Sequence, residues 1–218
     1  MGFYDDRVLP HIINVVMNKK LARETRARVC ADLAGDVVEI GFGTGHTLPF
    51  IPRSVTSLRA VEPSHRSVQL AQQRIDAAPF PVEVVGLDGQ RLPLDTGSAD
   101  HVLCTWSLCT IPDPVAAVRE MRRVLRPGGF LHFVEHGASP HPKVRRWQDR
   151  LNGMQQRIAG GCNLNRDIPG IVAAGGFRVT KLDTSAGKGE PKPLGYLYEG
   201  AATPASRIRQ GPAAGLWC

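Results

Sequence analysis

Apolar positions along this chain recur in two periods. Short β-branched or alternating runs cover Val37 to Ile40, Val55 to Val61, Val82 to Val85, Ala99 to Trp106, Phe130 to His136, Phe177 to Leu182 and Gly195 to Glu199. Each reads as a strand, because successive side chains of a strand point to opposite faces. Between them, apolar residues step by three and four, as on a helix. Val68, Ala71 and Ile75 form one such stripe, and Val115, Val118, Arg122 and Leu125 another that is imperfect at the arginine. Ile168, Ile171 and Val172 mark a third helix. The longest stripe is Val144, Trp147, Leu151, Met154 and Ile158. It predicts a core helix with Lys143, Arg145, Arg146 and Arg150 on a solvated face; a sharper reading rests that helix on an anionic membrane or an acidic substrate. Val8, Ile12, Val15 and Lys19 give a weaker helical lead. Leu21 to Leu33 predicts a second helix with Arg23, Arg26 and Arg28 on its wet side.

Punctuation between these elements is clear. Pro49 and Pro52 predict a short or kinked helix after the first strand, since proline lacks the amide donor. Asp113-Pro114 reads as an N-cap followed by proline in the first helical turn. Arg126-Pro127-Gly128-Gly129 ends that helix, and Gly175-Gly176 leads into the sixth strand. From Thr203 the composition turns to Ala, Pro, Gly and Arg without period, so residues 203–218 read as a flexible tail behind a single domain over 1–202.

Composition narrows the function classes. The 218 residues and 42% hydrophobic content suit one domain with a substantial core. A net charge of +7 permits an acidic partner without identifying one. Aromatics at 6% argue against a stacking platform for single-stranded nucleic acid. Five scattered cysteines without a CxxC predict neither a disulfide framework nor a zinc site, and a reduced, cytoplasmic setting fits them. No apolar run is long enough to span a bilayer, and Asp5 and Asp6 do not suit a signal peptide. Nothing in the sequence fixes an oligomeric state.

The candidate chemistry gathers at strand ends. Val37-Val38-Glu39-Ile40 runs into Gly41, Gly43 and Gly45, with Thr44, His46 and Thr47 between and after them. Such a strand, turn and helix binds a nucleotide-like group at the carboxyl end of the first strand of a wound α/β sheet. A dinucleotide fingerprint needs glycine at its sixth position, where this chain has His46, so the NAD reading is weakened; an ordinary glycine turn is the bland alternative. Glu62 ends the second strand 21 residues beyond Gly41, where a carboxylate can accept from a ribose diol. Its alternative is a carboxylate favoured by a helix N-terminus. Asp88 lies in Gly86-Leu87-Asp88-Gly89-Gln90-Arg91-Leu92-Pro93-Leu94 as a ligand or as a turn-former. Trp106, Ser107 and Cys109 follow the fourth strand at the ligand edge. Strand five puts His132 and His136 on one face and Glu135 on the other. His132, His136 and His141 lack metal-ligand spacing, so no metal is expected.

Glu39-Ile40-Gly41-x-Gly43-x-Gly45 resembles the first motif of class I S-adenosylmethionine methyltransferases. The Asp88 stretch is similar to the Gly-Asp-Ala-Glu-x-Leu-Pro-Phe segment of many such enzymes, with Gln90 in place of the glutamate. Asp113 to Gly129 looks like their helix and Leu-x-Pro-Gly-Gly feature. The resemblance covers about Val37 to Glu199. Leu108-Cys109, Glu135-His136, Trp147-Gln148 and Gly161 to Arg166 further resemble the alkyl-thiol S-methyltransferase branch of the methyltransferase type 11 family. That family also includes phospholipid N-methyltransferases and quinone C-methyltransferases.

The resemblance implies a Rossmann-like α/β fold: a seven-stranded sheet, the last strand antiparallel, with helices on both faces. It implies S-adenosylmethionine as cofactor and S-adenosylhomocysteine as product, held by Glu39, Gly41, Gly43, Gly45, Glu62, Asp88, Gly89 and Trp106. The glycine loop would take the methionine part, Glu62 the ribose and Asp88 the adenine. The N-terminal helices would form a lid, or simply cap the sheet. The acceptor would be a small hydrophobic molecule, a thiol first. His136 would take its proton and Arg166 would stabilise the thiolate; Tyr4, Cys109, Glu135, Trp147 and Asn163 would lie on the acceptor side. A module that binds the cofactor without turning it over is the alternative of another class. No nucleic-acid partner is expected, and membrane contact would be weak and peripheral.

Overall fold

In the computed structural model, residues 7–86, 88–186, 191 and 193–205 are described. Among them seven strands form one sheet: β1 (Gly35–Ile40), β2 (Val55–Val61), β3 (Val82–Gly86), β4 (Ala99–Thr105), β5 (Leu125–His136), β6 (Phe177–Ala186) and β7 (Tyr196–Pro204). Their order is β3-β2-β1-β4-β5-β7-β6. The β1–β5 neighbours pair parallel, and β7 runs antiparallel to both β5 and β6. Strand order reverses between β1 and β4, which opens the crevice where wound sheets bind ligands.

Six helices among the described residues surround the sheet: α1 (Leu9–Val16), α2 (Lys20–Cys30), α3 (His65–Asp76), α4 (Pro114–Val124), α5 (Pro142–Ile158) and α6 (Ile168–Ala174). Alternation along the strands sorts them. Val38, Ile40, Val102, Cys104, Leu131 and Phe133 face Ala117, Val118 and Met121 of α4 and Ile168 and Val172 of α6. Val37, Leu103 and Val134 face the other way, in one cluster with Val29 and Cys30 of α2 and Ala71 of α3. The expected α/β sheet with helices on both faces is therefore the architecture of this chain. Asp113 caps α4 by accepting from the Ala116 amide at 2.9 Å.

Several boundaries differ from the sequence reading. After the glycine loop the chain makes only a 3₁₀ turn, Leu48–Phe50, because Pro49 and Pro52 cannot donate to a continuing helix. Strand five begins at Leu125, paired with Ala99, so Arg126 to Gly129 belongs to the strand's entry rather than the helix end. There Arg126 bridges Asp36 at 2.9 Å and Asp100 at 2.7 Å. β7 continues through Pro204, two residues into the segment read as tail; 206–218 lie outside the described residues.

Two side-chain assignments are reversed. Arg26 is buried, not on the wet side of α2. Its guanidinium donates to the Met17 carbonyl at 2.7 Å and lies over the Trp106 ring at 4.8 Å from the centroid. Burial lowers its pKa to about 10, and the Glu39 carboxylate partly offsets this. The apolar stripe of α5 also faces outward: Trp147 is 53% exposed, Met154 54% and Ile158 51%. The helix docks through polar groups instead. Gln148 is buried, accepting from the Ser139 amide at 2.8 Å and donating to the Gly137 carbonyl at 3.0 Å. Asn152 accepts from the Leu164 amide at 2.8 Å. Loops brought against a helix need partners for their backbone groups, and amide side chains supply both a donor and an acceptor. Among the described residues no helix is long and apolar enough to cross a membrane.

His132 packs inside the sheet and shares a 3.0 Å contact with His101. Burial, then the His101 charge, lowers its pKa from 6.5 to about 4. The folded chain therefore keeps this ring neutral where the unfolded chain takes up a proton. Stability is complete above about pH 6.5 and is lost as pH falls toward about 4. Replacing His132 with glutamine is expected to flatten the loss between pH 7 and 5 by roughly 1–2 kcal/mol relative to wild type. Urea melts of both proteins across that range measure it.

Candidate active site

Every element of the site meets at the carboxyl edge of β1, β2, β4 and β5. The glycines after β1 share positive φ, but their surroundings differ. A methyl group at Gly41 would fall on the Ser107 hydroxyl, and one at Gly45 would press on the Phe42 ring. At Gly43 (φ +59°) the nearest heavy atom would be the Gly41 carbonyl at 3.9 Å. Gly41 and Gly45 thus have no room for a side chain, while the side of Gly43 where a Cβ would sit is open.

Glu62 fixes that loop. Its carboxylate accepts from the Gly43 amide at 2.8 Å and from the Ser64 amide at 2.9 Å. The reading of Glu62 as a carboxylate at a helix N-terminus fits this contact, since Ser64 caps α3. A carboxylate has about four acceptor positions, so two amides leave capacity for hydroxyl donors. Burial raises its pKa, and the two amides oppose that rise. Glu39 lies deeper and is fully buried. Thr47 donates its hydroxyl to the carboxylate at 2.8 Å, and burial pushes the pKa up to about 8. It braces the loop from below.

α1 reaches the same loop. The His46 ring donates from Nε2 to the Asn14 carbonyl at 2.9 Å, and burial lowers its pKa to about 4. Asp88 accepts from the Gln90 amide at 2.8 Å, and Gln90 in turn accepts from the Asp113 amide at 2.9 Å. Gly89 packs between Ile40 and Ile111. Leu87 and Tyr4 lie outside the described residues.

The segment after β4 forms the opposite wall. Trp106 has φ +52°, the positive value among non-glycine described residues. For a bulky residue this costs about 1–2 kcal/mol. The conformation puts its ring near Arg26 and 6.5 Å from the His136 ring. Glu135 is fully buried beneath the turn and accepts from the Ser107 amide at 2.8 Å and the Cys109 amide at 3.2 Å. Its oxygens hold backbone rather than face an acceptor.

The loop after α5 clamps the same turn from outside. Asn163 donates to the Cys109 carbonyl through its amide nitrogen at 2.8 Å and its side chain at 2.9 Å. Arg166 donates to the Leu108 carbonyl and, at 2.7 Å, to the Ile111 carbonyl. Burial lowers the Arg166 pKa, while the charges of Cys109, Glu135 and Cys162 act to raise it. Cys109, His136 and Cys162 converge, with their ligand atoms within 4.8 Å of one another. Trp147 stands apart, on the outer surface of α5 under Arg150. Sequence spacing missed Cys162, which is 53 residues from Cys109 yet 3.5 Å from it between sulfurs. It also missed Arg26 and Thr47.

A family profile described as "Methyltransferase domain" matches residues 38–133. The chain is 33% identical to human thiol S-methyltransferase TMT1B, over 75% of this chain and 66% of that protein. It is 31% identical to a demethylmenaquinone methyltransferase of Clavibacter sepedonicus, over 62% of this chain and 55% of that one. A SAM-dependent methyltransferase from Thermotoga maritima shares the fold with a TM-score of 0.66 at 20% identity, over 92% of this chain and 98% of that chain. The chain thus spans just under two thirds of the thiol methyltransferase it matches.

Proposed function

We propose that this chain is a class I S-adenosylmethionine-dependent methyltransferase and that it methylates the sulfur of a small, hydrophobic thiol. The observation that carries the thiol reading is the group of Cys109, His136, Cys162 and Arg166 at the edge of the cofactor crevice. Likeness to a thiol S-methyltransferase supports it.

The crevice fits the cofactor on its own terms. The open side of Gly43 admits a ligand to the main chain, and the Glu62 carboxylate has capacity for a ribose diol. Gly43 and its neighbours would hold the methionine part, and Asp88 and Gly89 the adenine side. When bound, S-adenosylmethionine supplies a methyl group on a sulfonium, open to in-line displacement.

What this chain must add is position and a thiolate. Reacting atoms need to stand roughly 3–3.5 Å apart, so a rigid wall after β4 matters. Glu135, Asn163 and Arg166 supply that rigidity through the backbone of residues 107–111. A thiol of pKa about 8.5 is already a few per cent ionised near neutrality, so modest help suffices. Arg166 brings a fixed positive charge that favours thiolate. His136 supplies a nitrogen lone pair for the departing proton. Glu39 and Trp106 act from behind, holding the glycine loop and the start of the wall.

The test is an acceptor panel read by release of S-adenosylhomocysteine: small alkyl and aryl thiols, phosphatidylethanolamine, a demethylated quinol and small phenols. Turnover is expected on at least one thiol and to exceed that on every other class. Turnover of quinol or lipid with none on thiols would overturn the thiol reading. Binding without turnover on any acceptor would favour the non-enzymatic module.

A further inference from the structure

Cys109, His136 and Cys162 come from three separate segments: the turn after β4, the end of β5 and the loop after α5. We infer that these three side chains form a zinc site with one coordination position left for the acceptor sulfur. The site stands on geometry alone; the role of the open position rests on the thiol reading above.

Two thiols and an imidazole are borderline-soft donors that suit zinc, and three protein ligands plus one exchangeable position is the pattern of catalytic zinc. Tetrahedral zinc with bonds of about 2.3 Å sets two sulfurs roughly 3.8 Å apart. Here the sulfurs stand at 3.5 Å, and all three ligand atoms lie within 4.8 Å, so closure needs shifts of about an ångström. Charge is balanced as well. Two thiolates neutralise the dication. Glu135 and Arg166 act on Cys162 with opposite signs. Both sulfurs are buried and His136 is partly exposed, which leaves an approach from the imidazole side.

Binding displaces one proton from each thiol to solvent. In the metal-free chain His136 keeps its lone pair for the departing proton; with zinc bound it is a ligand, and the acceptor's proton goes to solvent instead. An acceptor thiol entering the fourth position would lose its proton to solvent and remain bound as thiolate.

Cobalt(II), which substitutes for zinc and absorbs light, tests this. The full chain is reduced, stripped with a chelator and titrated with cobalt(II), then with zinc(II). One equivalent of cobalt is expected, with a thiolate-to-metal charge-transfer band that zinc abolishes. Cys109→Ser and Cys162→Ser should each weaken binding by at least about tenfold. Cys218→Ser should leave it unchanged. Melting curves of each variant separate ligand loss from unfolding. Absence of the band in the wild type, or its persistence in both Cys109→Ser and Cys162→Ser, overturns the site. Adding benzenethiol should shift the cobalt spectrum; an unshifted spectrum on a metal-loaded chain overturns the open-position role. Failure of the thiol reading itself would show separately, as a metal-loaded chain that methylates no thiol in the acceptor panel.

Discussion

Replacing Glu62 with alanine is expected to weaken S-adenosylmethionine binding by about 100-fold or more. The carboxylate holds the Gly43 and Ser64 amides at 2.8 and 2.9 Å. Under the proposed function its remaining capacity would take the ribose hydroxyls. Hydrogen bonds to a charged group are worth about 1.5–3 kcal/mol each, and losing two amounts to roughly 3–6 kcal/mol. Part of that loss falls on the loop, because the Gly43 amide donates to the carboxylate that the substitution removes. Calorimetry with S-adenosylmethionine and S-adenosylhomocysteine measures the effect, and a thermal melt of the free protein isolates the folding share. Glu62→Gln keeps the shape but not the charge and should fall between wild type and alanine. Affinity for the alanine variant within a factor of about three of wild type would remove Glu62 from the cofactor site.

Glu135→Ala is expected to destabilise the chain by about 3–5 kcal/mol and to abolish turnover on every acceptor. The carboxylate is fully buried and accepts from the Ser107 and Cys109 amides, with the Cys104 thiol at 3.5 Å. Alanine leaves buried backbone donors without partners and a cavity beside them. For a domain of this size the loss corresponds to a fall in Tm of about 10 °C or more. Glu135→Gln retains one acceptor oxygen and should recover part of the stability. A wild-type melt together with wild-type turnover in Glu135→Ala would mean that the wall after β4 is held by something else.

The elements that build the carboxyl edge of the sheet were legible because their signals are local. β-branched runs, the three glycines, Asp113-Pro114 and the strand-ending Glu62 each carry their meaning within a few residues. The acceptor side was less so. Cys162 meets Cys109 only because the loop after α5 folds back over β4, and spacing along the chain holds no trace of that contact. Arg26 was misread because helical periodicity assigns charge to solvent, whereas Trp106 and Glu39 offer this guanidinium a ring face and a carboxylate inside. The stripe of α5 misled in the opposite sense. Its apolar period is good, but the Gly137 carbonyl and the Ser139 and Leu164 amides select the Gln148 and Asn152 side. The positive φ of Trp106 is a product of the tertiary setting, since no local preference puts tryptophan there.

The most direct measurement follows the methyl group itself. Enzyme in excess is mixed with S-adenosylmethionine carrying a carbon-13 methyl and with benzenethiol, and one turnover is read by NMR. The account predicts that the label leaves the sulfonium and appears on the S-methyl carbon of the aryl thioether, with S-adenosylhomocysteine in equal amount. Label that stays on the sulfonium with benzenethiol and alkyl thiols alike, yet moves to a quinol carbon or a lipid nitrogen when those are supplied, would contradict it.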